Sequence, residues 1–109
     1  MSPQELIVLI GEILTQIDRC LARPDFPDTD PRWHQLFALR KALDDQQRDL
    51  VAAEFQQNSQ NYVSITQSLA GANQRLQAVI TDIQGISDTI STVTQIVGFV
   101  GQLLTLATA

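Results

Sequence analysis

The chain has 109 residues, of which 44% are hydrophobic and 17% charged, and its formal net charge at neutral pH is −5. This length suits one domain with its own core, and the low count of Lys and Arg argues against a nucleic-acid partner, which needs a basic surface. The first residues, MSPQE, lack the basic segment with which a secretory signal begins, and Cys20 is the only cysteine. We therefore expect a cytoplasmic protein without disulfides.

The first predicted helix covers about residues 3–22. Ser2 stands before Pro3, and Glu5 follows Ser2 by three positions, a pattern typical of a capped helix start. The apolar side chains that follow recur at spacings of three and four, as an amphipathic helix requires. They are Leu6, Ile10, Ile13, Ile17 and Cys20.

The second predicted helix covers about residues 31–56. The segment RPDFPDTDPR before it contains three prolines, which end the first helix, and Asp30 precedes Pro31 as a helix cap. Trp33 and Phe37 lie one turn apart, and we interpret both as core anchors that hold this helix against the first. The polar segment QQNSQN at 56–61 favours a chain reversal. It contains neither Gly nor Pro, so a helix that continues through it is the alternative.

The third predicted helix covers about residues 62–106 and follows a heptad pattern of apolar residues. An unbroken helix of this length would extend roughly 65 Å. Gly71 and Gly85 are the positions where we expect it to bend or break. If it folds back near Gly85, four helices of similar length result, whereas an unbroken helix would protrude and pair with another chain. The predicted fold is therefore all-α, a small antiparallel bundle of three to four helices forming one domain over 1–109.

Charge is distributed unevenly along the chain. Sixteen of the nineteen charged residues precede Phe55, and only Arg75, Asp82 and Asp88 follow it. Between 96 and 106 the predicted helix is apolar on two faces and carries small residues on a third. Such a helix packs closely against a neighbour, so we predict a protein interface in this segment. Its residues are Ile86, Ile90, Val93, Ile96, Val97, Gly98, Phe99, Val100, Gly101, Leu103 and Leu104.

The same segment allows two alternatives to a protein interface. In the first, it lies inside the chain's own bundle, although two short helices offer little cover for a helix that is apolar on several faces. In the second, it contacts a membrane, which would make the protein membrane-peripheral. Gln95 and Gln102 argue against a permanent span, since the uncharged stretch is barely long enough to cross a bilayer.

Residues with catalytic or metal-binding chemistry are few. Cys20 and His34 are the only thiol and imidazole, and a nucleophile–base pair would need them in hydrogen-bond contact. The carboxylates of Asp25, Asp28 and Asp30 share a loop but lack the spacing, glycine and closing glutamate of a calcium loop. We expect turn and cap roles for them, and we predict no catalytic residue, metal site or cofactor.

The sequence therefore predicts a non-enzymatic interaction module with an accessory, chaperone or inhibitor role. It associates with itself or with a protein partner through its charge-poor C-terminal half. The alternative is a membrane-active or polymer-forming helical protein in which residues 89–109 insert into lipid or into an assembly.

Overall fold

The computed structural model describes residues 1–107 and contains four α-helices in that range. A single 3₁₀ turn, Ile83–Gly85, precedes the last helix. No strand occurs within residues 1–107, so the all-α bundle predicted from the sequence is confirmed. The helices are α1 (Pro3–Leu21), α2 (Pro31–Ala52), α3 (Gln60–Val79) and α4 (Ile86–Thr105).

The helices form two antiparallel hairpins, α1–α2 and α3–α4. Within the first hairpin, Arg40 pairs with Asp18 at 2.9 Å. Within the second, the guanidinium of Arg75 donates to the side-chain oxygen of Gln95 at 3.0 Å. The hairpins pack through α2 against α4, which gives the ring order α1, α2, α4, α3 around the core.

Polar side chains cap the starts of α1, α2 and α3. The hydroxyl of Ser2 accepts from the backbone of Glu5 at 3.1 Å, and the Glu5 carboxylate accepts from the Ser2 backbone at 3.1 Å, so the predicted capping box is present. Asp30 caps α2 by accepting from the Arg32 backbone at 2.9 Å. Ser59 caps α3 in the same way. These caps satisfy backbone donors that a helix leaves free at its first turn.

The second helix is shorter than predicted, because it ends at Ala52 rather than near residue 56. Ala53 has φ −84° and ψ 149°, an extended conformation that stops the helix. Phe55 therefore reaches the core from the connection between α2 and α3. Its ring packs against that of Tyr62, with centroids 5.4 Å apart. The apolar periodicity correctly included Phe55, but it did not predict that the chain leaves the helix at Ala53.

The third predicted helix is two helices, divided at residues 80–85. Asp82 caps the 3₁₀ turn by accepting from the Gln84 backbone at 3.0 Å, and Gly85 ends that turn. Gly71, the other predicted bend, lies inside α3. The molecule measures 43 × 22 × 18 Å, so it is shorter than one unbroken C-terminal helix would be.

All four helices contribute to one core, together with Phe26 from the connection between α1 and α2. Trp33 is half-buried and anchors α2 to α1, since its indole N–H donates to the carbonyl of Leu21 at 2.9 Å. The ring of Phe37 stacks on Trp33 at 5.3 Å but remains 46% exposed. The prediction that Phe37 is a core anchor is therefore wrong, because its side chain covers the outer face of Trp33.

Candidate interaction surface

Five residues of the predicted interface lie in the core of the bundle. They are fully or almost fully buried by the chain itself, because the reversal at residues 80–85 sets α3 beside α4 as a further neighbour next to α2. We expected the other helices to offer too little cover for this segment. That expectation is corrected by the packing of both α2 and α3 against α4. The five residues are Ile86, Val93, Ile96, Val100 and Leu103.

The other six residues of the predicted interface lie at or near the surface. Gly98 is exposed, and a Cβ atom added there would meet no atom within 4 Å. The remaining five are half-buried along the flanks of α4, so each shows part of its surface to solvent. They are Ile90, Val97, Phe99, Gly101 and Leu104.

Apart from Asp88 in the first turn, the outer side of α4 carries only small or amide side chains. Thr94 donates its hydroxyl proton to the carbonyl of Ile90 at 2.8 Å, and Thr105 donates to Gln102 at 2.6 Å. Because these two hydroxyl donors are satisfied inside the helix, covering the two threonines with another chain removes few hydrogen bonds to water. The exposed residues are Ser87, Asp88, Ser91, Thr94, Gln95, Gly98, Gln102 and Thr105.

The exposed side of α3 continues this surface. Arg75 is the only charged residue within α3, and its contact with Gln95 joins the outer sides of α3 and α4. We name the exposed side chains of α3 and α4 the charge-poor face. The α3 members are Gln60, Asn61, Val63, Ser64, Gln67, Ser68, Gln74, Arg75, Gln77 and Ala78.

The α1–α2 hairpin has the opposite character. Its exposed surface is crossed by ion pairs, among them Arg40 with Asp18 at 2.9 Å and Arg48 with Asp44 at 2.7 Å. Exposed ion pairs of this kind contribute little to stability, but they keep the surface strongly hydrated. The bundle therefore presents one highly charged side and one nearly uncharged side.

The structure does not bring Cys20 and His34 together as a catalytic pair. Cys20 is buried, and this burial raises the pKa of its thiol, which disfavours the nucleophilic thiolate. His34 is exposed, and its Nε2 lies 2.6 Å from the carbonyl oxygen of Asp28. Within residues 1–107 no hydrogen bond joins the thiol to the ring.

Aspartates of the acidic loop between α1 and α2 form ion pairs with arginines close to them in the sequence. Asp25 pairs with Arg23 at 2.8 Å, and Asp30 pairs with Arg32 at 2.7 Å. Hydrogen bonds from those guanidinium groups lower the pKa of both carboxyls. Among residues 1–107, no group of three or more His, Cys, Asp or Glu side chains is placed to hold a metal ion.

A groove between α1 and α3 was not predicted from the sequence. These two helices are neighbours in the ring but do not pack closely, and polar contacts bridge them. Gln16 donates to Asn73 at 3.1 Å, and the Tyr62 hydroxyl donates to the carbonyl of Met1 at 2.8 Å. The groove has a volume of about 720 Å³. Its sequence signal is the polar stripe of α1, Glu12, Thr15, Gln16 and Arg19, which borders the apolar stripe.

Across the part of the chain that the structure describes, no helix combines the length and apolar character needed to cross a bilayer. Comparisons of the chain with protein-family models, with curated proteins and with solved structures find no match.

Proposed function

We propose that this protein is a non-enzymatic interaction module that binds a protein partner, or another copy of itself, through its charge-poor face. The observation that carries the proposal is the contrast between the two hairpins. Sixteen charged residues precede Phe55, whereas Arg75, Asp82 and Asp88 are the only ones after it. The cores of protein interfaces are depleted in charge, because charges are costly to strip of water.

The region around Gly98 is the centre of the proposed contact. Its open surroundings allow another backbone to approach α4 closely, and the half-buried side chains of Phe99 and Leu104 flank it. Burial of the exposed parts of these side chains would supply hydrophobic free energy. The role we assign is that of an accessory, chaperone or inhibitor protein acting in the cytoplasm, where Cys20 remains a thiol.

Photo-crosslinking from position 98 tests this proposal in the cell of origin. A benzoyl-phenylalanine at position 98 fits the monomer, since a Cβ there meets no atom within 4 Å. Ala38, exposed on α2, provides the matched control position. We expect a discrete crosslinked species from position 98 and none from position 38. Absence of a crosslink at position 98, with the variant folded, contradicts the proposal.

The alternative function, membrane or polymer association, uses the same uncharged side of α4. Flotation with phosphatidylcholine–phosphatidylglycerol vesicles separates it from protein binding. The alternative requires that the chain float with the vesicles and that Gly98→Glu abolish flotation, since an acidic side chain is repelled by the anionic lipid. Light scattering of the purified chain identifies polymers by a mass that rises continuously with concentration.

A further inference from the structure

The groove between α1 and α3 shares only Gln77 with the charge-poor face and does not include Gly98. One wall is formed by Glu12, Arg19 and Arg23 on the α1 side, and the other by Gln77 and Thr81 on the α3 side. Arg23 crosses one end of the groove by donating to the carbonyl of Thr81. The groove therefore lies along one side of the bundle and is open to solvent.

Two charges on the α1 wall have no partner within residues 1–107. Glu12 and Arg19 are both exposed, and neither makes an ion pair or side-chain hydrogen bond with any residue in that range. In contrast, the side chain of every other arginine there engages an acidic or amide oxygen. Glu12 and Arg19 are seven residues apart, which sets them two helical turns apart on one side of α1.

This spacing makes α1 complementary to itself. When two α1 helices lie antiparallel and are centred between Thr15 and Gln16, Glu12 of each copy faces Arg19 of the other. A parallel arrangement in register would instead set like charges against each other. Two opposite-charge contacts therefore arise from one two-fold axis, the arrangement that an isologous dimer requires.

An exposed apolar residue lies on the same side of α1. Val8 is 60% exposed and precedes Glu12 by one turn. In the antiparallel arrangement Val8 of one copy lies at the end of α1 of the other, where the chain leaves the helix after Leu21 and continues to Arg23. The guanidinium of Arg23 is already held by Asp25 at 2.8 Å, so its methylene stem is available to cover an apolar side chain.

We propose that a second copy of this chain docks into the α1–α3 groove, with the two α1 helices antiparallel about a two-fold axis near Thr15 and Gln16. The complementary pairs of Glu12 and Arg19 fix the register of the two copies. This contact lies on a different side of the bundle from Gly98, so the dimer leaves the proposed binding region around Gly98 accessible.

Charge reversal with a swap tests the dimer. The dissociation constant is measured by analytical ultracentrifugation for wild type, Glu12→Arg, Arg19→Glu and the swapped double variant. Each single change converts two attractions into two repulsions, so we expect the dissociation constant to rise at least about tenfold. The swap restores both attractions, and its constant should return to within about threefold of wild type. Circular dichroism checks that each variant keeps its fold.

Three results would overturn this dimer. The first is a wild-type chain that stays monomeric at about 1 mM, a concentration at which even weak specific contacts form. The second is a dimer whose dissociation constant is the same in wild type and in both single variants. The third is a folded double variant that remains as weak as the single variants. A dimer that ignores these changes but dissociates on Gly98→Arg overturns this inference and supports the proposed function instead.

Discussion

Gln46 of α2 reaches α4, where its amide nitrogen donates a hydrogen bond to the carbonyl oxygen of Val97 at 3.1 Å. Gly101 lies one turn beyond Val97, and a Cβ atom there would stand 3.6 Å from the Gln46 amide nitrogen. The glycine leaves space for the amide to approach the helix backbone. This contact joins the two hairpins of the bundle.

Gln47, the next residue, makes the equivalent contact with α1, the other helix that packs against α2. The amide nitrogen of Gln47 donates to the carbonyl of Ile7 in α1, also at 3.1 Å. A Cβ atom at Gly11, again one turn beyond, would lie 3.4 Å from that nitrogen. Two consecutive glutamines thus hold α2 in register with α1 and α4.

We expect Gly101→Leu to destabilise the fold by about 1–3 kcal/mol, because the larger side chain displaces Gln46 from the carbonyl of Val97. Gly101→Ala adds only an ordinary contact at 3.6 Å and should be tolerated. Gly98→Ala provides the control. A Cβ atom at position 98 has open space around it, and alanine stabilises a helix by up to about 1 kcal/mol relative to glycine. Urea unfolding measures all three. Equal stability of the Leu and Ala variants at position 101 would contradict the role of this glycine.

Thr89→Val should stabilise the protein by about 1 kcal/mol. Thr89 is fully buried, and its hydroxyl has no hydrogen-bond partner within residues 1–107. Valine has nearly the same shape and removes the unsatisfied group. Thr92→Val is the matched control, since the Thr92 hydroxyl donates to the carbonyl of Asp88 at 2.8 Å and its removal brings no such gain. Chemical denaturation compares the two, and a loss of stability at position 89 would refute the prediction.

Ile96→Ala should lower the free energy of unfolding by about 2–5 kcal/mol, because Ile96 is fully buried in the core. Ser91→Ala, on the exposed side of the same helix, should change stability by less than about 0.5 kcal/mol. Thermal and urea unfolding of the two variants check this division of α4 into a core side and a surface side. A small effect at Ile96 would mean that α4 is loosely held in the monomer.

Acid should destabilise the protein through Glu5, Asp25 and Asp30. Hydrogen bonds from Ser2 lower the pKa of Glu5, and those from Arg23 and Arg32 lower the pKa of Asp25 and Asp30. A carboxyl whose pKa is lower in the folded state stabilises that state at neutral pH. This contribution is lost as pH falls below about 4 and through the folded pKa values.

The urea concentration at the midpoint of unfolding, measured from pH 7 to pH 2.5, follows that loss of stability. In the triple variant Glu5→Gln, Asp25→Asn, Asp30→Asn the three groups no longer titrate, so its midpoint should fall less steeply than that of wild type. Asparagine still caps a helix, which limits the cost of the change at position 30. Identical slopes for the two proteins would show that these groups are not responsible.

The starts of α1 and α2 were the most predictable part of the fold. The Ser2–Pro3 and Asp30–Pro31 signals act locally, so the sequence is sufficient to locate them. The end of α2 was less predictable. Residues up to Phe55 keep a helical period, but Phe55 reaches the core after Ala53 has left the helix.

The interface residues show the limit of a periodic pattern. Ile90, Val97 and Leu104 belong to the heptad pattern of the third predicted helix, yet they are half-buried, while Ile96 and Leu103 beside them are in the core. The reversal at residues 80–85 fixes how α4 is turned toward α2 and α3. Periodicity identifies an apolar side of a helix, but tertiary packing decides which part of it is covered.

The distribution of aromatic residues provides a separate optical reporter for each hairpin. The only tryptophan, Trp33, anchors α2 to Leu21 of α1, and the only tyrosine, Tyr62, lies in the first turn of α3 and donates to the carbonyl of Met1. Indole emission therefore follows the closure of the first hairpin, and phenol absorbance follows the docking of the second. Coincident transitions of the two signals would establish that the hairpins unfold as one cooperative unit.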